Sequence, residues 1–173
     1  MLGLEITNSG LTSVERSRVW AGISEEFERI SNMLPQPRGR ALQKLLARII
    51  GHHGWGQDEG VRTSNEEMDV IVFREREYYL LESKWEKDPI EADVIRELFG
   101  KLGNRIDVRG IVVSMSGFTG GAVKQVEDYT GQRIILLFGA SGTKAMIYGQ
   151  ATFNELLNEK YKELITKRKV AFD

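Results

Sequence analysis

The 173-residue chain contains no cysteine and only two histidines, which are adjacent at His52 and His53. The lack of cysteine excludes disulfides and thiolate zinc sites, and it permits a reducing compartment. Adjacent histidines on a helix point apart, so this pair cannot form a zinc site by itself. The start of the chain lacks a basic segment followed by an apolar run, and no apolar stretch is long enough to span a bilayer. We therefore expect a cytoplasmic protein without a membrane partner.

An excess of positive charge is also lacking, because 24 Lys and Arg residues face 25 Asp and Glu residues, for a net charge of −1. A strongly basic chain would point to nucleic acid by itself, and this chain does not. Apolar residues make up 41% of the chain and charged residues 28%, which is typical of a folded globular domain. A nucleic-acid-binding function would therefore need a local basic surface.

The most informative stretch spans residues 66–84 and reads EEMDVIVFREREYYLLESK. Its Val, Ile, Phe and Tyr residues predict two strands, Met68–Arg74 and Glu77–Lys84, with a tight charged turn between them. If Glu75 and Arg76 form a two-residue loop, the first residue after the loop pairs with the last residue before it. The sequence therefore predicts a β-hairpin with a defined register.

That register places Asp69 opposite Glu82, and directly paired side chains have Cβ atoms about 4.5–5.5 Å apart. Lys84 is two residues from Glu82, so both side chains point to one face of the strand. Two close carboxylates repel each other, and a divalent cation would remove that penalty. Mg²⁺, with Mn²⁺ as an alternative, suits one or two carboxylates and bound water. A salt-bridge cluster at the surface is the competing interpretation.

Asp69, followed by Glu82-Ser83-Lys84 at the end of the next strand, resembles the D…(D/E)xK signature of the PD-(D/E)XK nuclease superfamily. The surrounding sequence resembles its Mrr-like restriction endonuclease branch. Residues 39–46, GRALQKLL, are similar to the opening helix of that family, and the Gly-Trp pair at 54–55 to the residues that follow it. Residues 110–119, GIVVSMSGFT, are similar to a later strand and the start of the next helix.

The resemblance implies an α/β fold with a restriction-endonuclease-like αβββαβ core, in which helices flank a central mixed sheet. Residues 1–173 would form a single nuclease-like domain. Within it, 1–36 would be an N-terminal helical extension, 37–149 the core and 150–173 a C-terminal helix. The implied activity is that of a Mg²⁺-dependent endodeoxyribonuclease. DNA is then the partner, and a homodimer is expected because cutting both strands needs two sites. A separate recognition domain or subunit is compatible with this interpretation.

The resemblance also assigns roles in the site. Asp69 and Glu82 would bind the metal, with the Ser83 carbonyl as a further ligand, and Lys84 would position water and stabilise charge on the phosphate. Gln43 stands where the family usually has Glu, and it would be an auxiliary polar group. Two other functions stay open: a non-catalytic nucleic-acid-binding or assembly module on the same fold, and a junction-resolving or repair nuclease.

Basic residues gather on one predicted helix, at residues 38–52, and around the end of another, at residues 88–102. They are predicted to contact the DNA backbone, although a solvated helix face would carry the same residues. The candidate DNA-binding residues are Arg38, Arg40, Lys44, Arg48, Lys101 and Arg105.

Local patterns predict the remaining elements. Thr12 and Thr152, each followed three residues later by Glu, indicate capping boxes at the starts of two helices. The segment Asp88-Pro89 predicts the start of a further helix. We expect a first strand at 55–63, another strand at 133–138, and a turn at 139–144 that leads into a strand at 144–148.

Overall fold

A computed structural model describes residues 10–59, 70–167 and 170. Five strands and six helices are present in these ranges, and none of the described helices has the length and apolar character to cross a membrane. In chain order the elements are α1 Ser13–Ser31, α2 Pro35–His52, β1 Gly56–Glu59, β2 Val70–Arg74, β3 Glu77–Lys84, α3 Ala92–Gly103, β4 Val108–Ser114, α4 Gly120–Tyr129, β5 Ile135–Phe138, α5 Ala140–Ile147 and α6 Phe153–Lys167.

The five strands form one mixed sheet in the order β1-β2-β3-β4-β5. The first three strands are antiparallel to one another, whereas β3, β4 and β5 run parallel. Arg74 pairs with Glu77 across a two-residue turn, and Glu75 in that turn has a φ of 53°. The predicted hairpin and its register are therefore confirmed from the turn to the pair formed by Val70 and Leu81.

Both faces of the sheet are covered by helices. Tyr79 and Leu81 of β3 belong to a core shared with α1, α2, α5 and α6, whereas Leu80 belongs to a second core shared with α3 and α4. This alternation follows from the two-residue period of a strand. It confirms the predicted α/β fold, with a central mixed sheet flanked by helices, and it places even-numbered residues of β3 on the α3 side.

Two helices begin elsewhere than the sequence pattern predicts. The α2 helix begins at Pro35, three residues before the predicted start, because proline is tolerated in the first turn, where the N–H has no partner within the helix. The α3 helix begins at Ala92 rather than at Asp88. The delay has a tertiary cause: the Ile90 N–H donates to the Gly117 carbonyl at 2.9 Å, and the Ile90 carbonyl accepts from the Thr119 N–H at 2.9 Å.

The predicted turn at 139–144 and strand at 144–148 are wrong, because this segment forms α5. Thr143, Met146 and Ile147 are buried, and their spacing is that of one helical face. Gly142 weakens the local helix signal, since glycine is a poor helix former. Burial of Met146 and Ile147 in the core beneath α1 and α2 outweighs that preference.

The predicted helix caps are confirmed. Thr12 and Glu15 form a reciprocal capping box at the start of α1. At the start of α6, the Thr152 N–H donates to Glu155 Oε2 at 2.8 Å, and the Glu155 N–H donates to Thr152 Oγ1 at 3.2 Å. Capping residues satisfy N–H groups that the first turn of a helix leaves without partners. These helix starts are therefore determined locally.

Candidate active site

The candidate site lies at the end of β3, a strand that is paired on both sides by β2 and β4. Lys84 Nζ lies 3.1 Å from Glu82 Oε1, so the two side chains share one face of the strand, as their spacing predicts. Glu82 is buried, with 9% of its surface exposed. A buried carboxylate is costly without a charged partner, and Lys84 is such a partner for Glu82. The pair therefore differs from a salt bridge between exposed side chains.

Asp69, the predicted partner carboxylate, lies outside the described residues. The described register ends where Val70 pairs with Leu81. Asp69 precedes the first of these residues in sequence, and Glu82 follows the second. The pairing of Asp69 with Glu82 therefore stays a prediction.

Lys101 reaches the same carboxylate from α3. Its Nζ atom lies 3.3 Å from Glu82 Oε2 and 3.6 Å from Glu97 Oε1. The sequence pattern predicts Lys101 as a DNA contact, and it does not predict this ion pair. A local signal existed, because Lys101 lies between the apolar positions Leu98 and Leu102, at the edge of the buried face of α3. The packing of α3 on the sheet determines that Lys101 contacts the Glu82 carboxylate.

Gln43 approaches the site from the opposite face of the sheet. Its Oε1 atom accepts a hydrogen bond from the Ser83 N–H at 3.0 Å. The helix can come this near because residue 39 is glycine: a Cβ there would lie 3.3 Å from the Ser83 carbonyl oxygen and 3.6 Å from the Trp85 nitrogen. Gln43 therefore binds the main chain of the Glu-Ser-Lys triplet.

The residue after the triplet is held by stacking and hydrogen bonds. Arg38 donates from Nε and a terminal nitrogen to the Trp85 carbonyl, at 3.1 and 2.8 Å, and its guanidinium lies 4.9 Å from the centre of the Trp85 ring. Phe27 stacks on the same ring at 5.3 Å. Trp85 is thus a structural anchor at the end of β3, and Arg38 contributes to that anchor.

The predicted DNA-binding residues do not form one continuous group. Arg38, Arg40, Lys44 and Arg48 belong to α2, whereas Lys101 lies on α3, which packs on the other face of the sheet. Arg48 pairs with Glu26 at 2.5 Å, and Arg105 donates to the Lys101 carbonyl at 3.3 Å. Arg40 and Lys44 are exposed on α2.

A cavity of about 270 Å³ opens beside Lys84. Its lining includes Ser114 of β4 and carboxylates from the segment before α3 and from the first turn of that helix. An anionic phosphate in this cavity would meet the Lys84 ammonium but also several negative charges, so additional positive charge would favour its entry. The acidic residues of the lining are Glu86, Asp88, Glu91 and Asp93.

The oxygen donors present fit a hard divalent cation better than zinc. Zinc sites use thiolates and imidazoles, and His53 instead accepts a hydrogen bond from the Phe153 N–H at 3.1 Å. Among the described residues, no group of three or more His, Cys, Asp or Glu side chains is arranged to hold a metal. Mg²⁺ retains several waters and needs only one or two protein carboxylates, a requirement that Glu82 together with Asp69 would meet.

The fold is similar to that of a solved restriction endonuclease. The MspJI restriction endonuclease, solved in complex with a 27-mer oligonucleotide, has a TM-score of 0.50 at 16% identity, covering 94% of this chain and 40% of that one. A protein of unknown function, AF1548, has a TM-score of 0.44 at 20% identity, covering 67% of this chain and 63% of that one. The chain thus spans less than two thirds of either protein.

Curated proteins gave no significant match to the chain. A family profile did: residues 36–141 match Mrr_cat, described as restriction endonuclease. The matched region comprises more than half of the 173 residues and contains all of α2 but its first residue, the whole sheet and the Glu82-Ser83-Lys84 triplet. The chain therefore belongs to the Mrr_cat restriction endonuclease family.

Proposed function

We propose that this protein is a Mg²⁺-dependent endodeoxyribonuclease of the restriction type, with Mn²⁺ as an alternative cation. The observation that carries the proposal is the contact between Glu82 and Lys84, 3.1 Å apart on one face at the end of a central strand. A carboxylate and an ammonium in this arrangement can hold a cation and a phosphate side by side. Membership of the restriction endonuclease family supports phosphodiester hydrolysis as the reaction.

In this proposal Asp69 and Glu82 hold the cation, and the Ser83 carbonyl is a further ligand. A bound divalent cation supplies a Lewis acid and an activated water. Lys84 positions the attacking water and stabilises the negative charge that develops on the phosphate oxygens. Its ion pair with Glu82 fixes the ammonium at the site before the substrate arrives. Gln43 serves as an auxiliary group that holds the main chain of Ser83.

We also propose that DNA is the partner, contacted in part through the exposed basic residues of α2. The presence of an oligonucleotide in the MspJI structure supports this assignment. Cleavage of both strands would require two sites, so a homodimer is proposed. We propose further that a separate domain or subunit recognises the DNA sequence.

Plasmid cleavage in Mg²⁺ tests the assignment. We expect Asp69→Asn, Glu82→Gln and Lys84→Met each to lower the cleavage rate by at least about 100-fold, because each removes a charge that acts in the transition state. Lys124→Met is a matched control, since Lys124 is an exposed lysine that pairs with Asp128 on α4. Chelation with EDTA should abolish cleavage by the wild type. Persistent cleavage by both Asp69→Asn and Lys84→Met would reject the proposal.

A second function, a non-catalytic nucleic-acid-binding or assembly module, is favoured by one observation. Gln43 replaces the usual family glutamate, and its oxygen is engaged by the Ser83 N–H. This function predicts DNA binding in Mg²⁺ without cleavage, and binding that is indifferent to Glu82→Gln. A panel of linear and branched DNA substrates would also separate a restriction-type enzyme from a junction-resolving or repair nuclease.

A further inference from the structure

The buried carboxylate of Glu82 has an ammonium group at each of its two oxygens. Oε1 lies 3.1 Å from Lys84 Nζ, and Oε2 lies 3.3 Å from Lys101 Nζ. The Glu82 side chain is 11% exposed and that of Lys101 is 25% exposed, so water screens this pair less than a surface salt bridge. One of these lysines, Lys84, belongs to the Glu-Ser-Lys triplet, whereas Lys101 comes from α3 and has no role at the cation site in the proposed function.

The reach of Lys101 is determined by how closely α3 approaches the sheet. Leu98 and Leu102 are buried against β4, where residue 110 is glycine. A Cβ at Gly110 would lie 2.9 Å from Leu98 Cδ2 and 3.1 Å from Leu102 Cδ1, so any larger residue would displace the helix or distort its leucines. The close packing of α3 on β4 therefore positions Lys101 next to Glu82.

We propose that Lys101 competes with the divalent cation for Glu82. Lys101 compensates the buried carboxylate before a cation arrives, and it raises the cation concentration needed to load the site. The reason is electrostatic: a cation bound through either Glu82 oxygen must lie near an ammonium group, and like charges repel strongly where water is scarce. This inference rests on the proposed function, in which Glu82 is a cation ligand.

The competition has a consequence for the order of binding. DNA brings phosphate groups whose negative charge offsets the Lys101 ammonium. Cation affinity should therefore be weak in the free protein and stronger in the DNA complex. By linkage, the cation should strengthen DNA binding by the same factor. Because of Lys101, the affinity for the metal should therefore be higher when DNA is bound.

Calorimetric titration of the free protein with Mn²⁺ tests the inference. We expect Lys101→Met to lower the Kd for Mn²⁺ by roughly tenfold, which corresponds to about 1.4 kcal/mol. Lys101→Arg keeps the charge and should bind Mn²⁺ like the wild type. Lys124→Met removes an equivalent charge from the neighbouring helix and should leave the Kd unchanged. If Lys101→Met does not fold, Lys101→Gln carries the same expectation.

Thermal unfolding gives a second readout that does not depend on cleavage. In EDTA, Lys101→Met should melt below the wild type, because Glu82 loses one of its charged partners. In Mn²⁺ the variant should gain more in Tm than the wild type, since tighter binding to the folded state stabilises it more. The inference is overturned if the Kd for Mn²⁺ is equal to or above the wild-type value in Lys101→Met, or in Lys101→Gln where Lys101→Met does not fold.

The outcome for Glu82→Gln separates this inference from the proposed function. If the wild type neither cleaves DNA nor binds Mn²⁺ through Glu82, the proposed function fails and the inference fails with it. If the wild type cleaves DNA and Glu82→Gln loses Mn²⁺ binding, the proposed function stands. Unchanged Mn²⁺ affinity in Lys101→Met would then overturn the role of Lys101 alone.

Discussion

The side-chain oxygen of Gln43 accepts a hydrogen bond from the main-chain N–H of Ser83, 3.0 Å away. This bond joins α2 to the centre of the Glu-Ser-Lys triplet from one face of the sheet, while Glu82 and Lys84 occupy the other face. The geometry of the site therefore depends on both helical layers. Changes in α2 should therefore affect the site through the main chain of the triplet.

Gln43→Ala should lower the free energy of unfolding by about 1–2 kcal/mol, because it leaves the part-buried Ser83 N–H without its acceptor. It should also reduce the cleavage rate, since the main chain of the triplet loses its support. Urea unfolding and plasmid cleavage measure the two effects. Gln132→Ala is the control, because Gln132 is exposed and should shift stability by no more than about 0.5 kcal/mol. Equal stability of the two variants would contradict this role of Gln43.

Gly39→Ala should impair the site even though alanine is the better helix former. The new Cβ would lie 3.3 Å from the Ser83 carbonyl oxygen, so α2 or the end of β3 must move by a few tenths of an ångström. Gly22→Ala on α1 is the matched control, since no atom lies within 4 Å of its Cβ position. The control should gain about 0.5–1 kcal/mol from helix propensity, and Gly39→Ala should not.

Chemical denaturation and the Mg²⁺ dependence of cleavage would show the difference between the two glycine variants. An equal gain in stability, with unchanged Mg²⁺ dependence in both, would show that the close approach of α2 is unimportant.

Ser83→Ala should leave stability unchanged or raise it by as much as about 1 kcal/mol. The Ser83 hydroxyl is buried, and it has no hydrogen-bond partner among the described residues, so its removal relieves a desolvation cost. Cleavage should persist, because the proposed ligand is the main-chain carbonyl, which alanine retains. Thermal unfolding and plasmid cleavage measure these effects. A loss of cleavage at wild-type stability would instead assign a role to the hydroxyl.

His53 should make folding sensitive to mild acid. Burial, reinforced by repulsion from His52, lowers the pKa of His53 from 6.5 to about 4. The neutral ring accepts the Phe153 N–H through Nδ1, and a protonated ring could not. The unfolded chain therefore binds this proton more readily than the folded protein does. The stabilising contribution is fully present above pH 6.5 and is lost as the pH falls towards about 4.

Urea unfolding of the wild type and of His53→Gln at pH 7.5, 6.0 and 5.0 measures this contribution. The wild type should lose more stability over this range than the variant, because carboxylates contribute equally to both. Parallel losses in the two proteins would exclude His53 as the origin of the pH dependence.

Local patterns in the sequence were sufficient for the elements that short-range physics controls. The alternation of apolar residues and the two-residue turn predicted the hairpin register from Arg74 and Glu77 onwards. The same alternation placed Glu82 and Lys84 on one face, and the pairs of Thr and Glu predicted the capped helix starts. The family resemblance carried by these residues implies the α/β fold. Each of these features depends on residues that are close in sequence or adjacent across one turn.

Contacts between distant segments decided the rest. Ile90 pairs with the segment before α4, so α3 begins later in the chain than its sequence pattern predicts. Residues 144–147 form part of α5 instead of the predicted strand, because this helix buries Met146 in the core. The sequence pattern does not predict the contact between Lys101 and Glu82, which forms because α3 packs closely on β4. The sequence by itself determined which residues could do the chemistry, since strand alternation acts locally. Only the tertiary structure decided their charged neighbours, because helix packing brings together side chains that are far apart in the chain.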